Sequence, residues 1–155
     1  MLAQNVSAWN TAMKMIREGL RPPIVHAATG LCRNRLRSLY RAMHGKPASQ
    51  GRISEYAHNR LKTRSQVIEG TAFYQTYYRL GGEKIFRTLD HNLVIDAYRA
   101  YKAIAPKGID ATTAWYIARD LREKILAPRR CQTCGGTYLH DPRSELMSCC
   151  PICGV

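Results

Sequence analysis

Four cysteines near the C-terminus constrain this chain more than any other feature. They stand as Cys131-Gln132-Thr133-Cys134 and Cys150-Pro151-Ile152-Cys153, fifteen residues apart, and a glycine (Gly135, Gly154) follows each pair. C-x2-C, x15, C-x2-C is the spacing of a tetrahedral four-thiolate zinc site with no open position. Two residues between paired cysteines let one tight turn aim both sulfurs at one ion. A following glycine lets the backbone take φ > 0 and turn its N–H groups toward the sulfurs. Pro151 pre-sets the second turn. Such a site is structural, and ion binding contributes about 10–16 kcal/mol of apparent free energy at neutral pH. That is enough to fold a segment whose main apolar residues are Tyr138, Leu139, Leu146 and Met147. The expectation is one Zn2+ per chain held by Cys131, Cys134, Cys150 and Cys153 in a zinc-ribbon-like segment over 131–155.

Two alternatives stay open on spacing alone. The cysteines could pair as disulfides, although no secretory leader precedes the chain and a reducing cytoplasm is expected. Cys149, beside Cys150, or His140, within the loop, could supply a ligand instead. The C-P-x-C-G turn favours Cys150 and leaves Cys149 a spare thiol. Cys32 is remote in sequence and unrelated to the cluster.

The rest of the chain is basic and reads as helical. The 155 residues carry a formal net charge of +13. Residues 1–60 hold ten basic and two acidic side chains, residues 61–130 thirteen and seven, and residues 131–155 one and two. The excess is concentrated toward the N-terminus and points to a polyanionic partner, nucleic acid first. No apolar run approaches the roughly 18 residues needed to cross a membrane.

Val6, Trp9, Met13, Ile16 and Leu20 mark one face of a first helix, with Ser7 as a candidate cap. Pro22-Pro23 opens a second helix that Gly30 ends. A third runs from Arg33 to His44 and closes at Gly45 and Pro47. Residues 45–54 read as a loop. Further helices are expected over Thr63–Leu80, from an Asp90 cap to about Ile104, and from an Asp110 cap to about Leu126 before Pro128. The domain reading is a helical domain over 1–130 followed by the cysteine segment over 131–155.

The second and third helices fit a helix-turn-helix over about 22–44. Gly30 is the turn residue, and Val25, Leu31, Leu36 and Leu39 fall where locking residues belong. The usual small residue early in the motif is His26 here. On the third helix, Leu36, Leu39, Tyr40 and Met43 cluster on one side. Asn34, Arg37, Ser38 and Arg41 lie opposite, with Arg33 and Arg35 on the flanks. Arginine can bond guanine bidentately, and asparagine can do the same with adenine. The flanking arginines are better placed for phosphates. No acid offsets this charge between Glu18 and Glu55. The set Arg33, Asn34, Arg35, Arg37, Ser38 and Arg41 is therefore the expected DNA contact.

Phe73, Tyr74, Tyr77 and Tyr78 form an aromatic group expected in the core or against a partner. There are no paired carboxylates, no Ser/His/Asp set and no open metal position to support an enzyme. An RNA-binding zinc protein is the remaining alternative to a DNA-binding one.

Leu31-Cys32-Arg33-Asn34-Arg35-Leu36, then Leu39-Tyr40 and Gly45-Lys46-Pro47, resemble the FlhC family of bacterial transcriptional activators. So do Ala97-Tyr98-Arg99-Ala100-Tyr101, Ala114-Trp115 and Cys131-Gln132-Thr133-Cys134-Gly135-Gly136. The resemblance runs from about Met15 to Cys153. It implies a zinc-containing helical subunit that acts in the cytoplasm, at the nucleoid, with an FlhD-like helical partner. Such a complex wraps promoter DNA, recruits RNA polymerase and switches on flagellar operons. Related pairs on mobile elements switch on conjugative-transfer genes instead. The chain stops two residues after Cys153, where flagellar members continue in a tail, and this leaves room for that second target.

Overall fold

The computed structural model describes residues 1–155. It is mainly helical with one small sheet. The elements run α1 (Leu2–Arg17), α2 (Pro22–Thr29), α3 (Arg33–His44), α4 (Arg64–Gly81), α5 (His91–Ile104), α6 (Ala111–Arg122), β1 (Ala127–Arg130), β2 (Thr137–His140) and α7 (Glu145–Ser148). Short 3-10 turns lie at Ala57–Asn59 and Gly82–Phe86. No helix is long and apolar enough to cross a membrane. The chain divides into two compact units, Met1–Ile53 and Ser54–Val155. The expectation of one helical domain over 1–130 grouped the elements differently. The basic loop 45–54 carries the division, and the cysteine segment belongs to the second unit.

In the first unit, α1, α2 and α3 pack on one another around Met15, Ile16, Leu20, Ile24, Val25 and Leu36. α1 starts at Leu2 rather than near Ser7, which lies inside the helix and caps nothing. Its end is set by Gly19 at φ 89°, where the Gly19 and Leu20 amides return to the carbonyls of Ile16 and Met15. This is a Schellman ending, and the buried Leu20 closes it. Gly30 and Gly45 adopt left-handed φ near 70° and terminate α2 and α3.

In the second unit, α4, α5 and α6 pack on one another, and Thr63, Asp90 and Asp110 cap their N-termini through side-chain oxygens. Phe73, Tyr77 and Tyr101 are fully buried where these helices meet. Phe73 stacks on Tyr77 and meets Tyr101 edge-on. The aromatic group read from sequence is thus mostly core, with Tyr78 only partly covered.

α6 stops at Arg122, four residues before the expected Leu126. Lys124 takes φ 60°, and the amides of Lys124 and Ile125 bond to the carbonyls of Leu121 and Asp120. The chain needs this reversal to bury Leu126 and start β1. Pro128 is a strand residue paired with Leu139, and a two-stranded sheet tolerates it at an edge.

Candidate metal centre and nucleic-acid interface

The antiparallel pair β1–β2 runs from Ala127 opposite His140 to Arg130 opposite Thr137. The first cysteine turn sits at its tip. The second turn follows α7. Both turns use one hydrogen-bond scheme. Gly135 N–H bonds to the Cys131 carbonyl and Gly154 N–H to the Cys150 carbonyl, each at 2.9 Å. Cys131 N–H bonds to the Gly136 carbonyl at 2.8 Å and Cys150 N–H to the Val155 carbonyl at 3.1 Å. Gly135 and Gly154 supply the positive φ, 71° and 79°, that lets each turn close. Gly136 has another role. A Cβ there would come within 2.7 Å of Ile152 Cδ1, so its missing side chain lets the two turns approach.

The four sulfurs of Cys131, Cys134, Cys150 and Cys153 lie within 4.8 Å of one another. Cys131 and Cys153 sulfurs are 3.6 Å apart, and those of Cys134 and Cys150 3.7 Å. A tetrahedron of four sulfurs about 2.3 Å from a zinc ion has edges of about 3.8 Å. The donor set therefore fits a soft four-coordinate ion, with no position left for substrate. The backbone amides of Cys134 and Thr133 face Cys131 and lower its thiol to about 6, while burial and the neighbouring sulfurs raise the thiols of Cys134 and Cys153. Cys149 is exposed, with its sulfur 4.0 Å from the Glu145 carbonyl.

The segment is bound into its unit rather than hung from it. Leu139 and Met147 are fully buried. Leu139 N–H donates to Thr71 Oγ1 on α4 at 3.2 Å. Arg64, first residue of α4, donates to the carbonyls of Pro151 and Ile152. Asp141 is fully buried and accepts from His58 Nδ1 at 2.9 Å and Arg143 Nη2 at 2.6 Å. Burial alone would raise this carboxyl. Donation from the Arg143 side chain and amide and from His58 outweighs it and holds the group down at about 2. Asp120 is buried likewise, and accepts from the Ala57 amide at 2.7 Å and from Arg119. Burial wins there, and the carboxyl is raised. Two buried aspartates thus tie residues 57–58 to α6 and to the cysteine segment. Nothing in the local sequence pattern announces them.

In the first unit, the turn between α2 and α3 is held by side chains. The His26 ring bonds through Nδ1 to the Leu31 carbonyl at 2.7 Å, which explains a histidine at a position where small residues are usual. Leu31 N–H donates to Thr29 Oγ1 at 3.3 Å. The His44 ring reaches the Ile16 carbonyl at 2.6 Å and fixes the end of α3 to the end of α1. Of the expected locking residues, Val25 and Leu36 are fully buried, while Leu31 and Leu39 are half-buried. Arg33, Asn34, Arg35, Arg37, Ser38 and Arg41 are all exposed on α3. Their internal contacts are few: Arg37 Nη1 to Asn34 Oδ1 at a loose 3.5 Å, and Ser38 Oγ to the Asn34 carbonyl at 3.1 Å. Arg21, which helical periodicity does not single out, faces the same region from the residue before Pro22.

The sequence profile of the family described as "Flagellar transcriptional activator (FlhC)" matches residues 1–155, the whole chain. The chain belongs to the FlhC family. It is 32% identical over 149 residues to the flagellar transcriptional regulator FlhC of Sodalis glossinidius (strain morsitans), a match covering 90% of this chain and 74% of that protein. The FlhC regulators of Yersinia enterocolitica and Xenorhabdus nematophila are 30% and 28% identical, each match covering 98% of this chain and 81% of the relative. This FlhC chain is therefore a member of a family of transcriptional regulators.

Proposed function

We propose that this chain is the DNA-binding subunit of a bacterial transcriptional activator that works in the cytoplasm with an FlhD-like helical partner and RNA polymerase at flagellar operons. The observation that carries the reading is α3. Its outward face shows four arginines, Asn34 and Ser38, with no acid between Glu18 and Glu55. A turn locked by His26 and Thr29 presents that face. Asn34 has the chemistry to read a base edge, and the arginines have the chemistry for guanine or phosphate. Zn2+ held by Cys131, Cys134, Cys150 and Cys153 is the structural cofactor that keeps the C-terminal segment folded. An unpartnered helix face on α1 supports the partner. Leu2, Val6 and Met13 are 85%, 58% and 39% exposed at the helical spacing that also includes Trp9. A helix of the partner is the fitting cover for such a stripe.

The test is binding of the complex with its partner to duplex promoter DNA and to single-stranded RNA across a salt series. Duplex binding that falls steeply with salt, with RNA much weaker, is expected. Preference for RNA, or no binding to either, would contradict the reading.

A further inference from the structure

The outward side of α3 is one wall of a groove of about 770 Å³, and Pro22, Pro23 and the loop 47–50 form the other. Arg21, Arg37 and Arg41 all line it. No carboxylate does. Arg21 Nη2 donates to the Gly51 carbonyl at 2.9 Å and so pins the loop as a standing wall. Arg21 Nε is buried and has no hydrogen-bond partner. Arg41 takes part in no ion pair, and Arg37 has only its loose contact with Asn34.

Three guanidinium groups without an acid repel one another. One anion in the groove lifts that cost. A carboxylate is satisfied by a single bidentate arginine, whereas the tetrahedral oxygens of a phosphate accept from several forks at once. The loop wall is already held, so little ordering is needed on binding.

We infer that Arg21, Arg37 and Arg41 form a cradle for one phosphate of the duplex backbone, which sets the position of α3 along the groove. This rests on the DNA-binding reading above. It adds Arg21 and the loop 47–50 to the contact, and it moves Arg37 and Arg41 from base reading to phosphate holding. Asn34 remains the base reader.

The test is DNA binding by the complex with its partner, measured across salt for the parent, Arg21→Ala, Arg41→Ala and Asn34→Ala. Specific and unrelated duplexes are compared. Arg21→Ala and Arg41→Ala should weaken both duplexes alike, by about 5–10-fold, and lower the salt slope by about one. Asn34→Ala should relax discrimination between them. The Arg41 side chain is exposed and makes no hydrogen bond within the protein, so its replacement separates loss of the cradle from loss of fold. Single methylphosphonate substitutions along the duplex should find one position where the parent weakens and Arg41→Ala loses nothing further. If Arg21→Ala and Arg41→Ala bind every duplex like the parent while Asn34→Ala relaxes specificity, the cradle is wrong and the DNA reading stands. If no protein binds duplex, both fall. If the two arginine variants keep full DNA affinity but lose binding of inorganic phosphate, the site serves a soluble phosphate and the backbone assignment is overturned.

Discussion

Arg64 at the start of α4 donates through Nη2 to the Ile152 carbonyl at 2.7 Å, inside the turn between Cys150 and Cys153. Its Nε serves the Pro151 carbonyl beside it. The longest helix of the second unit is thereby fixed to one half of the cysteine cluster.

Replacing Arg64 with alanine should cost about 1–2 kcal/mol, the loss of two charge-assisted bonds at a partly exposed site. Hydrogen exchange should quicken over 150–155, while the metal stays bound. Unchanged exchange there would show that the contact does not hold the turn.

The cysteines make a sharper contrast. Cys153→Ser should release the ion and unfold the segment from Cys131 onward, because four thiolates are needed to close the site. Cys149→Ser should keep one zinc per chain, since Cys149 lies outside the cluster of four sulfurs. Metal analysis of both purified variants checks this. Zinc retained in the first or lost in the second would overturn the ligand set.

Two buried tyrosines separate a satisfied hydroxyl from an orphan. Tyr77 Oη is buried with no partner, and burial pushes its hydroxyl up to about 12. Tyr101 Oη donates to Glu69 at 2.6 Å and accepts from the Ile109 amide at 3.0 Å. Tyr77→Phe should be neutral or stabilising by up to about 1 kcal/mol. Tyr101→Phe should cost about 1–3 kcal/mol, since it strands the Glu69 carboxylate and the Ile109 amide. Urea unfolding of the two variants gives the comparison, and equal effects would contradict it.

Acid should destabilise the fold in two stages. Burial depresses the pKa of His91, whose Nδ1 accepts from Trp115 Nε1 at 3.3 Å. Burial, then Arg129, depresses that of His140. In the unfolded chain both rings take protons near pH 6.5. Their stabilisation is therefore complete above about 6.5 and is lost as pH falls below it. Asp141 adds a later loss, from about pH 4 in the unfolded chain down to its folded value of about 2, and the raised Asp120 carboxyl works against it in the opposite sense. Stability against pH should fall from pH 7 to 5, and His91→Gln should flatten part of that slope. A flat curve over that interval would rule out both rings.

Much of this was legible in sequence, because local rules wrote it. The cysteine spacing, the glycine stops of α2 and α3 and the aspartate caps of α5 and α6 are set by residues within a turn of their effect. The wheel of α3 separated the buried Leu36 from the exposed arginines for the same reason. What stayed hidden depends on partners remote in the chain. Asp141 is paired with His58, 83 residues away, and Arg64 with carbonyls 87 and 88 residues away. The end of α6 is hidden in the sequence because a lysine, Lys124, and not a glycine, takes the left-handed position. Ser7 has the chemistry of a cap but lies inside α1, which already begins at Leu2. Arg21 carries one local signal: standing before Pro22, it is held in extended backbone, at φ −70° and ψ 144°.

The most direct measurement of the central claim is recovery of nucleic acid bound to the tagged protein in its own cells, for the parent and for a variant with Asn34 and Arg37 both replaced by alanine. The account predicts duplex promoter fragments upstream of flagellar operons with the parent, together with a small FlhD-like helical protein. It predicts loss of that enrichment in the variant while the partner is still recovered. RNA in place of promoter DNA, or the same promoters recovered equally by the variant, would contradict it.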